Sequence, residues 1–150
     1  MHHVRLWHPV GWWHPIGFTL AVMATTAIVV SAANDQGQQT DYYYDRGTWY
    51  QKQGDVYIAI AAPIGSVITD LPDGCETVTV AGKDYYYYAG DFYAHDSKGY
   101  KVVKAPRGAA VSSLPDGYKE QTDGDVTYDV YNNVKYEAKS SGDDFVYVVS

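Results

Sequence analysis

Four of the five histidines cluster at the start of the chain, at His2, His3, His8 and His14. Imidazoles at that density suit copper or nickel. The fifth, His95, stands alone beside the turn Asp96-Ser97-Lys98-Gly99. A hydrolytic triad needs a serine in a fixed setting with a carboxylate behind the histidine, and nothing around His95 has that spacing. Carboxylates are plentiful, but Asp73, Asp116, Asp123, Asp125, Asp143 and Asp144 sit in turn sequences, where backbone bonding accounts for them. The calcium-loop pattern is absent. Cys75 is the single cysteine, so no internal disulfide forms. Aromatic rings are the richest resource, with 16 tyrosines against 3 phenylalanines. Five of them, Tyr43, Trp49, Tyr86, Tyr88 and Phe92, are the candidate ligand contacts: either they are displayed, and flat exposed rings suit stacking on sugars or peptides, or they pack under the neighbouring repeat. The reading is a non-catalytic protein with no cofactor and no metal. The alternative is an enzyme or metal-handling factor using His95 and turn carboxylates.

The elements that position these residues recur. Leu71-Pro72-Asp73-Gly74 returns 43 residues later as Leu114-Pro115-Asp116-Gly117, and Trp49-Tyr50 returns at the same interval as Phe92-Tyr93. Asp41-Tyr42 and Asp84-Tyr85, Tyr57 and Tyr100, and Pro63 and Pro106 keep the interval too. A fixed period over dissimilar positions indicates a duplicated supersecondary unit. Short runs of Tyr, Val and Thr bounded by Gly, Asp and Asn read as strands, with turns at Ala81-Gly82, Ala89-Gly90, Asp123-Gly124 and Asn132-Asn133. The expected fold is all-β: tandem units of about 43 residues, arranged as two small SH3-like barrels plus an extra N-terminal hairpin. The boundaries are 34–61 for a tether and first hairpin, 62–104 for one unit and 105–150 for the other.

Comparison of the copies assigns faces, because strand side chains alternate. Tyr42, Tyr85 and Tyr128, with Tyr44, Tyr87 and Val130, are expected on the core face. Tyr43, Tyr86 and Asp129 are expected in solvent. On the next strand Tyr50, Tyr93 and Tyr136 read as inward, and Trp49, Phe92 and Lys135 as outward.

Residues 1–33 differ in kind. Arg5 is their only Lys or Arg, and Ile16 to Ala33 is uncharged and apolar before polar Asn34. That order reads as a signal peptide, cleaved after Ala32 or Ala33, or as an N-terminal anchor helix to the membrane. The expected address is therefore periplasmic or extracellular. A formal charge of −7 with scattered basic residues excludes nucleic acid as a partner. The remaining partners are a cell-wall glycan, an envelope protein, or a second copy through the edge of the first hairpin.

Several motifs carry a resemblance: Gly99-Tyr100-Lys101-Val102-Val103, Pro106 to Val111, Leu114 to Gly117, Val80 to Tyr86, and Gly90-Asp91-Phe92-Tyr93. On these the chain resembles a family of exported, tyrosine-rich bacterial repeat proteins of unknown function. It departs from their pattern with Lys104-Ala105-Pro106 in place of a double proline, and in its third hairpin. The resemblance implies an envelope or secreted address and no assigned activity.

Overall fold

A computed structural model describes residues 5–6, 12–34 and 36–150. His2, His3 and His8 lie outside the described residues. The described chain is all-β, with three antiparallel sheets of five strands each. The first holds β1 (Thr19–Leu20), β2 (Ile28–Ala33), β3 (Gln39–Asp45), β4 (Thr48–Gln53) and β5 (Val56–Ile60). The second holds β6 (Val67–Ile68), β7 (Glu76–Val80), β8 (Lys83–Tyr88), β9 (Asp91–Asp96) and β10 (Gly99–Val103). The third holds β11 (Ala110–Val111), β12 (Lys119–Asp123), β13 (Val126–Tyr131), β14 (Val134–Ser141) and β15 (Asp144–Val149). Their strand orders are β1-β5-β4-β3-β2, β6-β10-β9-β8-β7 and β11-β15-β14-β13-β12. Each is a four-stranded meander whose last strand is flanked by the two-residue strand that begins the unit.

Two expectations change here. The hairpin β3–β4 is not an extra element beside two barrels, but the centre of a complete sheet. The apolar segment 16–33, expected as a signal or anchor helix, supplies that sheet's two outer strands. β1 pairs with β5 (Thr19 opposite Ile58), and β2 pairs with β3 from Ile28–Tyr44 to Ala33–Gln39. The physical reason lies in Pro15-Ile16-Gly17, which makes the same turn as Pro63-Ile64-Gly65 and Pro106-Arg107-Gly108. The Phe18, Ser66 and Ala109 amides donate to the Pro15, Pro63 and Pro106 carbonyls at 3.0, 3.1 and 3.1 Å. The Gly17, Gly65 and Gly108 amides donate to Ala59, Val102 and Val149 at 2.8, 2.9 and 2.9 Å. Apolar side chains and small residues satisfy a membrane helix and an edge strand with one covered face equally, so composition alone did not separate them. Among the described residues no helix is long and apolar enough to cross a membrane.

The sheets stack face to face, which corrects the face assignment. Cross-strand partners in register share a face, so Tyr44 goes with Trp49, and Tyr43 with Tyr50. The Tyr44–Trp49 face of the first sheet packs on Ile68, Tyr93 and Val102 of the second. The opposite, Tyr87–Phe92 face of the second sheet packs on Val111, Tyr136 and Tyr147 of the third. Trp49 and Phe92, expected outward, are therefore 1% and 2% exposed. Asp129, expected in solvent, is fully buried, and Tyr88 is buried as well. Tyr50, Tyr93 and Tyr136 are buried as expected. Trp49 donates Nε1–H to the Tyr93 hydroxyl at 2.8 Å, joining first sheet to second.

A tyrosine of each following sheet closes over the hairpin turn of the one before. The turn Arg46-Gly47 has φ of 45° and 100°, and Ala89-Gly90 has 48° and 90°, the left-handed pair of a tight hairpin. A Cβ on Gly47 would lie 2.3 Å from the Tyr88 ring, and one on Gly90 would lie 2.5 Å from the Tyr131 ring. Glycine is needed twice over, for backbone sign and for ring clearance. At the third turn the pair is Asn132-Asn133 (φ 51° and 63°).

Candidate cleft between the first and second sheets

The two junctions between sheets use corresponding residues but close differently. At the second junction Glu76 Oε1 accepts from both the amide and the hydroxyl of Ser112, each at 3.0 Å. The Tyr87 hydroxyl donates to the Ser113 carbonyl at 2.9 Å, and Leu114 is fully buried. The counterparts at the first junction are Ile28, Tyr44, Thr69, Asp70 and Leu71. Ile28 has no carboxylate to offer Thr69. The Tyr44 hydroxyl is buried with no hydrogen-bond partner among the described residues. Burial, the largest influence, drives its pKa well up, against the lowering effect of the Gly47 amide. What the second junction fills with hydrogen bonds is here a cleft of about 400 Å³.

Its walls combine rings and charge. Trp12, Tyr44 and Tyr88 line it with Arg46, Asp70 and Asp73. Thr26 holds Asp45 through its hydroxyl at 2.6 Å, and Asp45 accepts from Arg46 Nε and Nη2 at 3.1 and 3.0 Å. So held, the Arg46 guanidinium lies 3.7 Å above the Trp12 ring, a cation–π contact. Because Arg46 is already paired with Asp45, the exposed carboxylates of Asp70 and Asp73 dominate the local charge. Burial, with Asp73 adding, pushes the thiol of Cys75, near this wall, up to about 12, which disfavours the thiolate.

Of the five aromatic residues expected to contact a ligand, only Tyr88 lines the cleft. Trp49 and Phe92 are packed between sheets. Tyr43 and Tyr86 are half-buried and make edge-on contacts with Tyr57 and Tyr100, at 5.1 and 5.5 Å between ring centroids. His95 is exposed with its ring against Tyr100 at 5.6 Å. His14 stacks on Phe18 at 4.2 Å and meets the Tyr50 hydroxyl through Nδ1 at 2.7 Å. Among the described residues no group of three His, Cys, Asp or Glu side chains is placed to hold a metal. Trp12, Tyr44, Arg46 and Asp70 were missed. Their signal was the difference between copies, Ile28 at the position of Glu76 and Arg46 at the position of Ala89.

Comparison with family models matches residues 1–150 to a single description. The chain belongs to DUF6515, a family of unknown function. No curated protein and no solved structure matches it. Membership in DUF6515 assigns neither substrate nor partner, so the cleft is read from its own chemistry.

Two consequences follow for this DUF6515 chain. Tyr44→Phe removes a hydroxyl that has no hydrogen-bond partner among the described residues, and denaturant unfolding should show stability unchanged or slightly raised. Tyr87→Phe orphans a buried carbonyl and should cost about 1–2 kcal/mol. Equal costs would mean that the first junction is as closed as the second.

Asp91 gives a pH dependence. It accepts from the Ala62 amide at 3.3 Å, as Thr48 accepts from the His14 amide at 3.0 Å, so it anchors the connection between sheets. Burial pushes its carboxyl up to about 7. The unfolded chain releases that proton near 4, so between about pH 4 and 7 the folded state binds more protons. Stability from this group is full below about 4, falls as pH rises to about 7, and is flat above. The drop is at most about 4 kcal/mol and smaller for a half-buried group. Asp91→Asn should flatten this part of the stability–pH curve in thermal unfolding.

Proposed function

We propose that this protein is a non-catalytic contact module that holds a segment of a larger molecule in the cleft between its first two sheets. The cleft carries the reading: its Tyr44 hydroxyl is buried without a hydrogen-bond partner among the described residues, and such a group invites a ligand that supplies one. His95 in solvent, the raised Cys75 thiol and turn-bound carboxylates supply no acid–base pair, which favours binding over catalysis. An address outside the cytoplasm, with cell-wall glycan or an envelope protein as partner, rests on the resemblance to exported tyrosine-rich proteins. In this structure the apolar segment 16–33 forms strands β1 and β2. Retention of the full chain on cell-wall material and envelope extract tests the reading. Trp12→Ala should abolish retention while Tyr43→Ala leaves it intact; equal retention by both variants sinks the cleft as the contact site.

Self-association is the second reading, and β2 favours it. The edges of the hairpin β3–β4 are covered by β2 and β5, so the free edge is β2 itself. Its sequence Ile-Val-Val-Ser-Ala-Ala carries no charge, and Val29 is 60% exposed. The corresponding edges β7 and β12 carry Glu76 and the run Lys-Glu-Gln-Thr-Asp. Charges on an edge block strand addition, and β2 lacks that protection. Sizing should show concentration-dependent dimers that Val29→Lys abolishes; monomers at all concentrations remove this reading.

A further inference from the structure

Beside the second junction, the third unit pairs with an extended piece of this chain's N-terminal segment, Arg5-Leu6. The Leu114 amide donates to the Arg5 carbonyl at 3.0 Å, and Leu6 forms a parallel bridge with Leu114. The Arg5 amide donates to the Tyr147 hydroxyl at 2.7 Å, and its guanidinium pairs with Asp144. Backbone pairing thus seats the segment, while a carboxylate selects its basic side chain.

At the first junction the residue corresponding to Leu114 is Leu71, which forms part of the cleft wall and is only half-buried. No backbone hydrogen bond is formed by its amide among the described residues. Beside it stand two exposed carboxylates, Asp70 and Asp73, which can meet a basic side chain as Asp144 meets Arg5. The Tyr44 hydroxyl supplies a donor that a peptide carbonyl accepts. We propose that the cleft binds an extended peptide with a basic residue followed by an aliphatic one, its backbone running beside Leu71 as Arg5-Leu6 runs beside Leu114. This rests on the reading of the cleft as the contact site and names its ligand class. Backbone hydrogen bonds give such a site its affinity, and the charge beside it gives selectivity.

The test uses the full chain, isotopically labelled, and a capped hexapeptide with the sequence of residues 3–8. The expected result is saturable shifts at the Thr69, Asp70 and Leu71 amides and the Trp12 indole. Binding should weaken at least tenfold when the peptide carries Arg5→Glu or when the protein carries Asp70→Asn with Asp73→Asn. The paired asparagine variant changes only exposed side chains, so it leaves the fold intact. Shifts confined to Leu114 and Tyr147, or binding indifferent to Arg5→Glu, overturn the proposal. If a neutral oligosaccharide shifts the same amides and the peptide does not, the peptide class is wrong and the cleft remains a contact site. If neither shifts them, both readings fall.

Discussion

A chain shortened to residues 34–150, the product of cleavage after Ala33, is expected to lose its first sheet. It lacks β1 and β2, so β3 and β5 each lose a partner, and Val30 and Ala32 leave the cluster that covers Tyr42, Tyr44 and Trp49. Three strands with a stripped face cannot hold a sheet of this size. The remaining sheets keep their shared cluster and should persist, as units in a stacked array do. The shortened chain retains a single tryptophan, Trp49, because the other three lie at Trp7, Trp12 and Trp13. Its emission should move to that of a solvated indole, and the β3–β5 amides should exchange freely. Buried-type emission and unchanged melting would mean that residues 16–33 are dispensable to the fold, as a leader is.

The second large effect is expected at the closed turns. Gly90→Ala places a methyl 2.5 Å from the Tyr131 ring in a backbone at φ 90°. Left-handed strain and overpacking together should cost about 2–5 kcal/mol. Gly124→Ala, at φ 62° with no atom within 4 Å, has the strain alone and should cost about 1 kcal/mol. The pair separates backbone sign from ring contact. In a Tyr131→Ala background the added cost of Gly90→Ala should shrink toward the Gly124→Ala value. An undiminished cost would show that the ring does not close over the turn. Chemical denaturation of the four variants measures all of it.

Much of the sheet interior was legible in the sequence. Period-2 runs of Tyr and Val between Gly and Asn turns gave the strands, and unchanging Tyr50, Tyr93 and Tyr136 are buried. Stacking was not legible, and it governs the rest. Alternation says that a strand has two faces; it says nothing about whether a second sheet covers the outer one. That is why the outward reading of Trp49 and Phe92 left two outcomes open, display and packing under a neighbouring repeat. The copy in Pro15 to Ala33 was hidden because its composition also fits an apolar helix, and because five extra residues before β3 break the interval of 43. The cleft depended on the same comparison pushed further. Once the copies are aligned, Ile28 against Glu76 marks the junction that lacks its closing hydrogen bonds.

The asymmetry between the junctions is the claim on which the site depends, and amide hydrogen exchange at Leu71 and Leu114 tests it directly. Leu114 donates to Arg5 and is fully buried, whereas Leu71 is half-buried without a backbone acceptor among the described residues. The Leu71 amide should exchange at least a hundredfold faster than that of Leu114 in the free protein, a difference of about 2.7 kcal/mol in opening free energy. Equal protection at the two leucines would show the first junction closed and would contradict the site.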